Sequence, residues 1–163
     1  MTNVTIERLV YSWKTPGVIR VVLKEKDANR RLVIGVDFFV GDAIVHALEP
    51  LPSPRPLPHD LITALLTTFH AAIRHVVITD LREKMFYAKI VLDHSGGSEE
   101  LDARPSDALA LAIKMKAPIF VEEALFAKAS AHQDISKFEP LSSLWPFSKD
   151  LFPTPGDKPS QQE

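Results

Sequence analysis

At 163 residues, with 45% hydrophobic and 25% charged side chains, the chain suits one domain around one core of ordinary size. It has no cysteine, which excludes disulfides, a thiolate metal site and a thiol nucleophile and fits a reducing compartment. A net charge of −2 and a pI near 6.3 exclude the bulk basic signature of a nucleic-acid-binding domain.

The chain opens without the basic-then-apolar pattern of a signal peptide. No apolar run approaches the roughly 20 residues that span a membrane. A cytoplasmic protein with no membrane partner is the expectation. From Glu122 onward there are seven acids and four lysines; before it, fifteen basic and fourteen acidic groups. The body is therefore near neutral, and any basic surface is a local patch.

Strands are expected over 4–11, 18–23 and 31–36, separated by turns at Pro16-Gly17 and Lys26-Asp27-Ala28-Asn29. The period then changes. Phe39, Ala43, Ile44, Ala47 and Leu48 recur at helical spacing. Five prolines between 50 and 58 predict a stiff surface strap. Pro58 suits a first helical position with Asp60 at the third, so a helix should run to about Phe69. Strands over 74–81 and 86–92 flank a turn near Arg82-Glu83-Lys84. Ser95-Gly96-Gly97 marks a hairpin leading to a sixth strand over 99–103.

Next comes Asp102-Ala103-Arg104-Pro105-Ser106-Asp107, a charged corner before the apolar run Ala108 to Ile113. Pro105 fits the first helical position. Asp107 at the third meets free backbone N–H groups and the positive end of the helix dipole. A helix apolar nearly all round is buried, so this corner is rigidly held. A short strand over 118–121 and a helix over 122–131 follow. The domain should therefore cover 1–131. Residues 132–163 form a proline-rich extension, disordered from about 153, with Leu144, Trp145 and Phe147 docked on the body.

There is an internal echo. Asp42-Ala43-Ile44-Val45-His46-Ala47-Leu48 matches Asp107 to Ile113 in kind at all but one place, and each copy follows three strands. The expected fold is α+β: a compact single domain of mostly antiparallel sheet packed with helices. A duplicated strand-strand-strand-helix unit, with the proline strap and the His59 helix inserted, would explain the echo.

The series Arg55-Pro56-Leu57-Pro58-His59-Asp60-Leu61, Val76 to Leu81, Phe86-Tyr87-Ala88, Asp102 to Leu111 and Ala117 to Val121 occurs in that order. It closely resembles the bifunctional nuclease domain family over roughly residues 5–125. The resemblance implies a compact α+β domain, ribonuclease and deoxyribonuclease activity, and a homodimer. It brings no agreed mechanism and so no catalytic roles. Relatives often carry an acid one helical turn before the Ala-Ile pair of the first helix; here that place holds Val40, which would weaken activity if the acid helps catalysis.

Phosphodiester cleavage needs a base or metal for the nucleophile, positive charge on the phosphate and an acid for the leaving oxygen. His59, Asp60, Asp80, Arg82, Asp102, Arg104, Ser106 and Asp107 all lie at ends of elements and together offer these groups. Asp80, Asp102 and Asp107 would hold Mg²⁺ or Mn²⁺ if they converge; Arg82 and Arg104 would hold a phosphate. No organic cofactor is implied.

Each residue also has a plainer role. Asp60 and Asp107 suit the helix dipole, Arg104 suits a pair with Asp102 or Asp107, and His59 suits a surface cap. Ser106 lacks a nucleophile-elbow context. The remaining histidines show no ligand spacing. Lys14, Arg20, Lys24, Lys26, Arg30 and Arg31 could track a phosphate backbone or form a solvated hairpin. Two functions remain open: a nuclease on RNA and DNA with low sequence specificity, or a non-catalytic dimeric module that binds an anion, small ligand or protein through the same corner.

Overall fold

Alternating apolar residues build the sheet. In the computed structural model, which describes residues 1–11, 17–48, 55–129 and 138–141, one eight-stranded sheet carries four helices. Strands β1 (Thr2–Tyr11), β2 (Val18–Glu25) and β3 (Arg31–Asp37) form an antiparallel meander. Helices α1 (Phe38–Leu48) and α2 (Pro58–Thr68) follow. Strands β4 (Ala72–Arg82), β5 (Met85–His94) and β6 (Gly97–Ala103) form a second meander, followed by α3 (Pro105–Met115). Strand β7 (Ile119–Val121), helix α4 (Ala124–Lys128) and strand β8 (Glu139–Pro140) complete the described chain.

The sheet order is β3-β2-β1-β7-β4-β5-β6, with β8 added on β1. β7 runs antiparallel to β1 and parallel to β4, and Ile119 sits between Val4 and Val76. The two meanders therefore run in opposite senses on either side of β7. Each ends in one member of the Asp42/Asp107 echo, and their helices α1 and α3 pack together against the sheet. This is the order expected of a duplicated unit.

The core lies between that sheet face and α1 and α3. Leu9, Val21, Leu23, Ile34, Ile44, Ile78 and Leu109 are among its fully buried side chains. Gly41 lets α1 approach closely, since a Cβ there would come within 2.8 Å of Ile19 Cδ1. On the opposite face Val10, Val22 and Val33 make a small cluster covered by Phe138. β6 is an edge strand bearing Glu99, Glu100 and Asp102, and edge charges of this kind discourage pairing with other chains.

Two expectations change. The helix expected over 122–131 is the shorter α4, because the Glu122 N–H bonds to the Ile78 carbonyl at 2.9 Å and extends the sheet instead. β8 was not anticipated: two residues have no period to read, and Glu139 and Pro140 are placed by pairing with Tyr11 and Val10. The turn at Glu83-Lys84 is as expected. Both residues take positive φ (48° and 68°), matching the twist a two-residue hairpin requires.

Most of the proline strap, the docking of Leu144, Trp145 and Phe147 and the disordered tail lie outside the described residues. Among the described residues no helix is long and apolar enough to cross a membrane. Helix α2 has no buried residue, and Leu61, Ile62, Leu65 and Phe69 along one side are exposed.

Candidate active site

Three elements meet at a cleft of about 260 Å³. α1 contributes Val40, Asp42, Ala43 and His46; the start of α2 contributes Leu57, Pro58 and His59; α3 contributes Arg104, Asp107 and Lys114. The buried run from Ala108 to Ala112 fixes α3, so the side chains at its two ends are held on a rigid rod.

Asp107 is the hub. His59 Nε2 lies 3.1 Å from its Oδ1. Arg104 donates from Nε to Oδ2 at 2.6 Å and from Nη2 to Oδ1 at 3.2 Å. This bidentate contact with the Asp107 carboxylate holds the Arg104 pKa above its ordinary value. The Asp107 carboxylate was expected on the backbone N–H groups of its helix; it turns instead to these two side chains, and Arg104 at the N-cap makes no side-chain cap bond.

Asp60 behaves closer to expectation. Its Oδ2 accepts the Leu57 N–H at 2.8 Å, one half of a capping box. Its Oδ1 accepts Lys114 Nζ at 2.6 Å, tying α2 to the last turn of α3. The Lys114 ammonium first, and the Leu57 N–H second, hold the Asp60 carboxyl below the usual carboxylate range.

The residues missed in the sequence are on α1. His46 Nε2 stands 3.5 Å from Asp42 Oδ2, one turn away on the same helix. The cleft thus holds two imidazole–carboxylate pairs, Asp42 with His46 within α1 and Asp107 of α3 with His59 of the inserted α2. The i, i+4 spacing of Asp42 and His46 was the available signal. Val40, where the family resemblance anticipates an acid, lines the same cleft.

The other candidates lie elsewhere. Asp80 accepts from Arg82 Nε at 2.7 Å, the Leu81 N–H at 2.8 Å and Lys128 Nζ at 3.0 Å. Arg82 first, then Lys128, holds its carboxyl far below the usual range. These bonds pin β4 to α4, and neither Asp80 nor Arg82 lines the cleft. The Arg82 guanidinium lies 5.1 Å from the Tyr87 ring centre. Asp102 is exposed on β6 in register with Lys89 and also lies outside the cleft. Ser106 is buried in α3.

Asp80, Asp102 and Asp107 therefore stand in three separate settings. Among the described residues no group of three His, Asp or Glu side chains is arranged to hold a metal ion. The arginines of the basic hairpin are committed internally, and Lys14 lies outside the described residues. Arg31 binds Glu7 at 2.7 and 2.8 Å, Arg30 bridges Glu25 and Glu123, and Arg20 stacks on Phe138. The solvated-hairpin reading fits these contacts better than a phosphate track.

Comparison with known proteins is consistent across the fold. The sequence matches the family model described as the bifunctional nuclease domain over residues 21–134. It is 37% identical over 109 residues to an uncharacterized protein of Mycobacterium tuberculosis, a span that covers 67% of this chain and 65% of the relative. It is 29% identical over 147 residues to bifunctional nuclease 1 of Oryza sativa subsp. japonica, covering 87% of this chain and 43% of the relative. The matched span is thus just under two thirds of the mycobacterial protein and less than half of the rice protein.

Proposed function

The chain belongs to the bifunctional nuclease domain family, and from that premise we propose that it cuts the phosphodiester bonds of RNA and DNA with little sequence preference, at the α1–α2–α3 cleft. The observation that carries this reading is the His59–Asp107–Arg104 contact set on the cleft wall. A carboxylate-oriented imidazole is a general acid or base. Arg104 supplies the cation. Its side chain is 68% exposed, so its contact with Asp107 is worth only about 0.2–1 kcal/mol and can be exchanged for a phosphate.

The experiment is cleavage of single-stranded RNA and plasmid DNA by the purified protein, beside an Arg104→Ala, Asp107→Ala variant. Cleavage confined to the unmodified protein supports the reading. Equal cleavage by both, or none by either, ends it.

One observation favours a second reading. Arg104 and Lys114 already face Asp107 and Asp60, so the cleft has little net positive charge with which to draw in a polyanion. A non-catalytic module that binds a small anionic ligand there would be stabilised by mononucleotides in a thermal-shift assay without turning over any strand.

We also propose that the exposed apolar side of α2 is where two copies meet. Leu61, Leu65 and Phe69 are 57%, 49% and 73% exposed, an unusual face for a helix of a free monomer. Light scattering should give twice the chain mass, falling to the monomer for Leu65→Asp. A monomeric unmodified protein removes this interface.

A further inference from the structure

The cleft presents two imidazoles, and each has a carboxylate at its Nε2: Asp107 at 3.1 Å for His59 and Asp42 at 3.5 Å for His46. That leaves Nδ1 as the ring atom that can meet a substrate. Both rings line one cavity of about 260 Å³, together with Arg104 and Lys114. One neutral imidazole, one protonated imidazole and a cation are what an in-line displacement at phosphorus requires when the substrate brings its own nucleophile. RNA brings one, the ribose 2′-hydroxyl; DNA does not.

We propose that this cleft cuts RNA by internal transesterification, a mechanism that rests on reading the cleft as the nuclease site. One imidazole removes the 2′-hydroxyl proton as the 2′-oxygen bonds to the adjacent phosphorus. The P–O5′ bond breaks, and the other imidazole gives its proton to the leaving 5′-oxygen. The products are a 2′,3′-cyclic phosphate and a 5′-hydroxyl. The two rings end with exchanged protonation and reset through solvent. Arg104, whose exposed guanidinium can exchange Asp107 for a phosphate, faces the charge that gathers on the non-bridging oxygens. Asp107 is a positioning residue that holds the His59 ring by one nitrogen and aims the other, and Asp42, 3.5 Å from His46, is its counterpart on α1. On DNA the same groups would have to activate a water molecule, so DNA is the slower substrate.

The pairing also explains why the echo matters. The two Asp residues open the matching runs on α1 and α3, and the packing of those helices brings both into one cavity.

The test uses a DNA oligonucleotide with a single ribonucleotide, beside an all-DNA strand and an all-RNA strand, with EDTA present throughout. The expected result is one cut, directly 3′ of the ribonucleotide, with a 2′,3′-cyclic phosphate by mass spectrometry. The all-DNA strand should react about 100-fold more slowly or less. His46→Gln and His59→Gln should each lower the rate by about 100-fold or more at unchanged thermal midpoint. For the positioning role, Asp42→Asn should lower kcat with little change in KM. Ends bearing 3′-hydroxyl and 5′-phosphate, equal rates on RNA and DNA, loss of cleavage in EDTA that returns with Mg²⁺, or full activity of His46→Gln would each overturn the transesterification while leaving a nuclease. No cleavage of any strand with or without Mg²⁺ would overturn both.

Discussion

His59→Ala is expected to lower kcat/KM for RNA cleavage by about 10²–10⁴-fold, the range for loss of a general acid or base, with the thermal midpoint nearly unchanged. The separation of the two effects follows from where the residue sits. His59 is on the first turn of α2, a helix that buries none of its residues, so no core packing depends on the ring. Its side chain meets Asp107 at 3.1 Å. A lost hydrogen bond of this kind costs about 0.5–1.5 kcal/mol, and Asp107 keeps Arg104 as its partner. Initial rates on a labelled RNA, with calorimetry on the same samples, check it. A variant that keeps more than about a tenth of the parent rate would show that the cleft is not the site.

Leu109→Ala is expected to destabilise the protein by about 2–5 kcal/mol, the range for a large-to-small change in a core that cannot collapse. Leu109 is fully buried in the middle of α3 and belongs to the main core cluster. Neighbouring Ala108, Ala110 and Ala112 are too small to fill the space it leaves. Against a typical total of about 5–15 kcal/mol this is a large fraction. Activity should fall with it, because α3 carries Arg104, Asp107 and Lys114. Leu65→Ala on the exposed side of α2 should change monomer stability by no more than about 0.5 kcal/mol. Urea titration of the two variants separates them; a Leu109→Ala midpoint equal to the parent would contradict the burial of α3 in the core.

Much of this fold is legible in the chain because its signals are local. The alternation in β1 to β5, the Asp42 to Leu48 period, Pro58 with Asp60 and Pro105 with Asp107 each report on backbone within a few residues. They place the strands and helices to within a few positions. The Asp42/Asp107 echo likewise revealed the paired meanders, though not that both carboxylates face one cavity. Length alone separates α4 from its expectation, since the sheet bond from the Glu122 N–H is a contact with residue 78.

The site is only half legible, for a related reason. Sequence marks His59, Arg104 and Asp107 as chemically capable. It does not reveal that His59 and Asp107, 48 residues apart, share a hydrogen bond. It groups Asp80 and Arg82 with them because all sit at ends of elements. In the fold a register shift between Ile78 and Asp80 interrupts the alternation of β4, and Asp80 pairs with Lys128 of α4. His46 shows no ligand spacing in the sequence, and only the fold places it in the cleft beside His59.

The sequence by itself determined the elements, the buried character of α3, the duplicated order and the family. Those properties follow from propensity and period, which act over one or two turns of chain. Only the tertiary structure decided which charged residues work together, because strand register and the packing of α1 on α3 are set by burial of the whole core. That packing brings two Asp–His pairs into one cleft and leaves Asp80, Arg82 and Asp102 outside it.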